Sequence, residues 1–111
     1  MEFDGNKPIY IQIAEHFCDR ILGGELKGGD RILSVRELGA EIGVNPNTIM
    51  RSYEVLTEQG IIYNKRGIGY FISDSARDVV LDSERKYFVK EELPRLKKRA
   101  ELLELNLKEL I

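Results

Sequence analysis

The chain has little of what most catalytic chemistry requires. Its 111 residues include one cysteine, Cys18, one histidine, His16, and no tryptophan. One cysteine excludes an internal disulfide and any zinc site built from several thiolates. A single histidine with no partner cluster at metal-ligand spacing reads as an ordinary core or surface residue, and Cys18 reads as a small hydrophobe. There is no nucleophile motif, and no phosphate-cradling glycine loop stands before a helix. The sequence therefore assigns no catalytic residue, no metal and no cofactor, and does not describe an enzyme. It also lacks any apolar run of about 18 residues, so nothing reads as a membrane span. Met1-Glu2-Phe3-Asp4 lacks the basic and apolar regions of a signal peptide, so the expected location is cytoplasmic. Internal repeats and low-complexity segments are absent.

Excess positive charge is missing as well. Lys and Arg number 17 against 19 Asp and Glu, a net charge of −2. Residues 1–74 carry 8 basic and 11 acidic side chains, and residues 75–111 carry 9 and 8. A nucleic-acid binder is normally marked by a basic patch. Such a function here requires positive charge that is local.

What is present is 42% apolar and 32% charged residues, enough for one modest core plus an appendage. The organising stretch is Gly43-Val44-Asn45-Pro46-Asn47-Thr48-Ile49-Met50-Arg51. Asn45 can cap a helix and Pro46 suits its first position. Ile49, Tyr53 and Leu56 then fall on one apolar stripe, while Asn47 and Arg51 face the other way and Thr48 flanks them. A helix over 46–59, stopped by Gly60, so presents amide, hydroxyl and guanidinium groups at its N-terminal end. These groups hydrogen-bond phosphates and base edges. Glu54 and Glu58 continue that outward face two turns on and would repel phosphate, so only the first half of the helix can enter a groove.

The flanking segments supply the context. Pro8 opens a helix whose Tyr10, Ile13, Ala14, Phe17 and Ile21 keep helical spacing until Gly23-Gly24. Gly28-Gly29-Asp30 is a turn and Arg31-Ile32-Leu33 a very short extended piece. Ser34 and Glu37 form a capping-box pattern before a helix from Val35 to about Ile42. Gly43 breaks that helix three residues before Pro46, the spacing of a helix-turn-helix. Ile61–Asn64 and Tyr70–Ile72 read as strands around the basic loop Lys65-Arg66-Gly67-Ile68-Gly69. A helix-turn-helix followed by a hairpin is a winged helix, with the wing over 61–72.

Beyond a polar joint at 73–76 the chain reads as helical. Val89, Leu93, Leu96, Ala100, Leu103, Leu107 and Leu110 alternate steps of four and three, an a/d seam over three heptads. Pro94 either kinks this helix or opens a second one, and Asn106 can cap a last short turn. A seam of this length suits a second copy of itself, with folding back onto the winged helix as the alternative. The expected organisation is mainly α with a small β-hairpin: a winged helix-turn-helix DNA-binding domain over 1–74 and a helical dimerisation tail over 75–111.

These ordered motifs resemble a family. Pro8-Ile9-Tyr10-Ile11-Gln12-Ile13, Gly29-Asp30, Ser34-Val35-Arg36-Glu37-Leu38, Val44 to Ile49 with Arg51-Ser52-Tyr53, Gly60-Ile61-Ile62 and Gly67 to Ile72 resemble the N-terminal domain of the GntR family of bacterial transcription regulators. The Asn-Pro-Asn-Thr run with Arg-Ser-Tyr is most similar to the YtrA subfamily, whose short helical tails serve dimerisation. Leu33 stands where the family commonly has Pro, and Tyr70 where it often has Thr. Other subfamilies place basic residues at the positions of Pro46 and Met50.

The resemblance implies a homodimeric repressor on a double-stranded DNA operator. It implies DNA contact by Arg36, by the start of the third helix, and by the wing through Lys65, Arg66 and the backbone of Gly67 and Gly69. The candidate DNA-binding residues are thus Ser34, Arg36, Asn45, Pro46, Asn47, Thr48, Arg51, Lys65, Arg66, Gly67 and Gly69. The seam residues are the candidate dimerisation set. Two other readings remain open at this point: a winged-helix protein-interaction adaptor, and a regulator gated by an unknown small-molecule effector in a pocket at the dimer interface.

Overall fold

The structure, a computed structural model, describes residues 1–111. The chain forms two compact units, Met1–Val80 and Leu81–Ile111.

The first unit is built on three helices. α1 spans Ile9–Leu22, α2 Val35–Ile42 and α3 Pro46–Glu58. α1 buries Ile13, Ala14, Phe17 and Ile21, the stripe its spacing requires. α2 opens with a complete capping box: the Glu37 N–H donates to Ser34 Oγ (3.1 Å) and the Ser34 N–H donates to Glu37 Oε1 (3.0 Å). Gly43 ends it in the left-handed region, at φ 69°, which a residue without Cβ adopts without strain. Its partner at close range is Gly39, where a Cβ would lie 2.7 Å from the Val44 carbonyl oxygen. The turn between α2 and α3 can be this tight because position 39 has no side chain. α3 begins with the Asn47 N–H donating to Asn45 Oδ1 (2.8 Å) and with Pro46 inside the first turn.

Ile49, Tyr53 and Leu56 of α3 are fully buried. Each such side chain contributes about 1.5–3 kcal/mol by leaving water. The core they share continues through Ile32, Leu38, Ile61, Ile62, Ile72, Ala76 and Val80. Tyr53 is its polar exception. Its ring meets Phe17 and Tyr70 edge to face, at centroid distances of 5.8 and 4.8 Å, and its hydroxyl donates to the Leu33 carbonyl. Ser52, also buried, donates to the Tyr10 carbonyl (2.8 Å) and so ties α3 to the start of α1.

The wing is an antiparallel pair, β1 (Ile62–Lys65) and β2 (Gly69–Ile72). The basic loop read from the sequence is shorter than expected. Lys65 and Gly69 pair with each other as strand ends, and only Arg66-Gly67-Ile68 forms the tip. The Ile68 N–H donates to the Lys65 carbonyl (2.9 Å), and Gly67 at φ 79° supplies the positive φ of a type II turn. The segment before α2 adds a third rung. Arg31 pairs with Phe71, the Ile32 N–H donates to the Tyr70 carbonyl (3.0 Å), and the Ile72 N–H donates to the Asp30 carbonyl (2.8 Å).

α4 spans Ala76–Tyr87, and its first turns contribute Ala76 and Val80 to the core just described. The second unit departs from the expected uninterrupted seam. A π-helical segment, Phe88–Glu92, follows α4 and leads into α5, Leu93–Leu102. Here the Leu93 N–H donates to the Phe88 carbonyl, five residues back. Pro94 explains the widening, because its ring offers no N–H and collides with the carbonyl four residues earlier in a plain α-helix. α5 then ends at Leu103. The Leu105 N–H donates to the Ala100 carbonyl (2.9 Å) and the Glu104 N–H to the Glu101 carbonyl (3.1 Å). That is a Schellman end, with Glu104 at φ 55° where glycine is usual. Leu107 and Leu110 belong to a separate helix, α6 (Leu107–Leu110), capped by Asn106. A single three-heptad stripe is therefore not present. Of the seam residues Ala100 is buried, Leu93 and Leu107 are half-buried, and Val89, Leu96, Leu103 and Leu110 are exposed.

Candidate nucleic-acid interface

Three elements of the first unit carry the polar residues singled out by sequence. Arg36 is exposed on the first turn of α2, directly after the Ser34 cap. Asn47 and Arg51 are exposed on the outer face of α3, with Thr48 half-buried beside them. Lys65, Arg66 and Gly67 are exposed on the wing. Asn45 and Pro46 shape the start of α3, and Ser34 shapes the start of α2. Asn45 Oδ1 and Ser34 Oγ are both engaged in capping.

Backbone pairing holds two of these elements together. Arg31 is three residues before the α2 cap and bridges Phe71 on β2, so the start of α2 is fastened to the base of the wing. Tyr53 fastens α3 to the same place through the Leu33 carbonyl. The wing tip, with Lys65 and Arg66, makes no hydrogen bond to α2 or α3, and Lys65 instead lies with its ammonium 5.1 Å from the centre of the Phe71 ring.

Electrostatics resolve the problem of net charge. The ion pairs of the structure are Lys7–Glu15, Arg20–Glu25 and Asp82–Lys86. Arg36, Arg51, Lys65 and Arg66 have no carboxylate within ion-pair distance, whereas Arg31 acts on the Glu37 carboxylate from farther off. Two helix N-termini add partial positive charge beside Arg36 and Asn47. Glu37 is the one acid in the first turn of α2, and it is committed to capping. The Ser34 N–H bound to it, assisted by the Ser34 hydroxyl, holds its carboxyl below the usual range. Tyr53 is shifted the other way: burial first, then Tyr70 and Glu37, push its hydroxyl well above the usual tyrosine value.

Four residues were missed by sequence reasoning. Tyr10 lies under Arg51, its ring centre 4.0 Å from the guanidinium carbon. Arg31 lies along Gly69, where a Cβ would come within 3.1 Å of its Nε. Met50 is exposed on α3, and Tyr70 offers its hydroxyl to the Met50 sulfur at 4.0 Å. Each depends on a contact between segments distant in sequence, which residue spacing does not report.

The family model for gntR bacterial regulatory proteins matches residues 9–72. Over 110 residues the chain is 36% identical to the uncharacterized HTH-type transcriptional regulator YhcF of Bacillus subtilis, covering 99% of this chain and 89% of that one. It is 39% identical over 89 residues to the HTH-type transcriptional repressor YtrA of the same organism, covering 80% of this chain and 68% of YtrA. A GntR family transcriptional regulator from Listeria monocytogenes has a similar structure, with a TM-score of 0.79 at 34% identity, covering 97% of this chain and 93% of that one. These relatives are transcription regulators rather than enzymes, and the winged helix-turn-helix is the part that the family model describes. The chain belongs to the gntR family of bacterial regulatory proteins, in its YtrA subfamily.

Proposed function

We propose that the chain is a homodimeric repressor that binds a two-fold related operator. Residues 1–74 form the DNA-binding domain and residues 75–111 the dimerisation tail. The observation that carries this reading is the group of unpaired cations, Arg36, Arg51, Lys65 and Arg66, set at the openings of two helices and on a hairpin tip. An adaptor would have no use for them. The start of α3 enters the major groove with Asn47, Thr48 and Arg51. The Ser34-capped start of α2 receives a phosphate beside Arg36. Lys65, Arg66 and the open backbone at Gly67 follow the sugar-phosphate chain from the wing, with Gly69 covered on one side by the Arg31 side chain.

Pairing is supported by exposed apolar surface in the tail. Tyr87, Phe88, Val89, Leu96, Leu102, Leu103, Leu105 and Leu110 are each about half exposed or more. A small isolated unit does not normally leave so much apolar surface to water. Repression is supported by the similarity to YtrA, which is named a repressor. No helix is long and apolar enough to cross a membrane.

The test is binding to a labelled duplex from upstream of the chain's own gene, against unrelated competitor DNA, with Arg51→Ala alongside and molar mass read by light scattering. Tight binding by a dimer that competitor does not displace, lost in the variant, supports the reading. A monomer in solution removes the dimer. Failure to select any sequence from random DNA favours the adaptor instead.

A further inference from the structure

We infer that Met50 is a specificity-determining residue that reads the 5-methyl group of a thymine. The inference rests on the DNA-binding reading above. Met50 is 38% exposed, whereas Ile49 beside it is fully buried. It lies on the flank of α3 that meets Tyr70 of the wing, to one side of the outward-facing Asn47 and Arg51. Its position is defined by contacts. The Tyr70 hydroxyl approaches its sulfur at 4.0 Å, and the Tyr70 ring packs edge to face on buried Tyr53 at 4.8 Å. The thioether is thereby held where the reading helix meets the wing.

What such a group can recognise is limited by its chemistry. A thioether is a weak acceptor and no donor, so it cannot match the hydrogen-bonding edge of a base. The apolar feature of the major groove is the thymine methyl. Methionine is unbranched and polarizable, which suits contact with a methyl group whose exact height depends on local DNA shape. An adenine or guanine edge at the same place would leave its acceptors facing sulfur and losing water without return.

The experiment uses the full chain to select sites from a random duplex library. Each thymine of the selected half-site is then replaced singly by deoxyuridine, and binding is measured for the wild type, Met50→Ala and Met50→Leu. The expected result is one position per half-site where loss of the methyl weakens the wild type by about fivefold. Met50→Leu keeps that sensitivity. Met50→Ala binds the thymine site more weakly by a similar factor and does not distinguish thymine from uracil there. The inference is overturned if the wild type is indifferent to every replacement, or if Met50→Ala stays as sensitive as the wild type at the same position. Either result leaves the DNA-binding reading standing, because the selected sites are still bound. A library that enriches nothing removes both. The wild-type comparison does not depend on the folding of any variant.

Discussion

The guanidinium of Arg51 rests over the ring of Tyr10, 4.0 Å from its centre, so the side chain expected to read DNA is seated on the first turn of another helix. A long flexible side chain loses rotamer entropy when it binds, and seating it beforehand reduces that loss. Tyr10→Leu, which keeps apolar bulk but removes the π face, should weaken operator binding by about 0.5–1 kcal/mol. Arg51→Ala should cost about 1–3 kcal/mol, concentrated at one base position. Titration of both variants against the selected site and its single-base derivatives measures this. A uniform loss across all sequences for Arg51→Ala would make it a phosphate contact.

Tyr53 links folding to alkaline pH. Its hydroxyl is held above the ordinary value near 10 by burial, so the native state keeps a proton that the unfolded chain releases. The native pKa is the raised one, hence this contribution is complete below pH 10 and declines as pH rises beyond it. Tyr53→Phe should cost about 1 kcal/mol at neutral pH, because the Leu33 carbonyl loses its donor. The same variant should show a shallower fall in stability above pH 10. Urea unfolding of both proteins at pH 7 and above pH 10 measures the two effects.

Gly39→Ala should destabilise the first unit by about 1–3 kcal/mol. The added methyl group would sit 2.7 Å from the Val44 carbonyl oxygen, a backbone atom that cannot rotate away. Chemical denaturation gives the number. If DNA affinity also falls under conditions where the variant stays folded, the angle between α2 and α3 has opened.

The salt dependence of binding should be shallow for a regulator. The first unit has few unpaired cations and several exposed acids, Glu54 and Glu58 among them. Lys65→Ala and Arg66→Ala should each reduce the slope of log affinity against log salt by about 1 without changing which sequence is preferred. Binding isotherms across a salt series test this.

What could be read from the sequence was what local chemistry specifies. Ser34 and Glu37 cap one helix, Asn45 and Pro46 open another, and Gly43 separates them, all between positions 34 and 46. The stripe of Ile49, Tyr53 and Leu56 follows from helical spacing alone. The residues that escaped are those whose role arises between segments. Arg31 looks like the start of a short extended piece with no strand partner until its pairing with Phe71 places it on the wing. Tyr10 looks like one more member of an apolar stripe until Arg51 is found on it. The tail misled for a different reason. Spacings of three and four assume a constant helical pitch, and Pro94 changes that pitch one turn before its own position.

That change of pitch has a consequence for the choice of partner. The widened turn at Phe88–Glu92 holds one residue more than an α-turn, so side chains beyond it are rotated by about 100° from where an unbroken helix would put them. The apolar residues before it, those on α5 and those on α6 therefore make three facets rather than one stripe. For a tail that associates with a copy of itself, all three must meet their counterparts at once. A related regulator without the proline, and so without the widened turn, would present the same amino acids at the wrong azimuth. Where regulators of both kinds share one cell, the presence of a single imino acid would keep each pairing with its own kind.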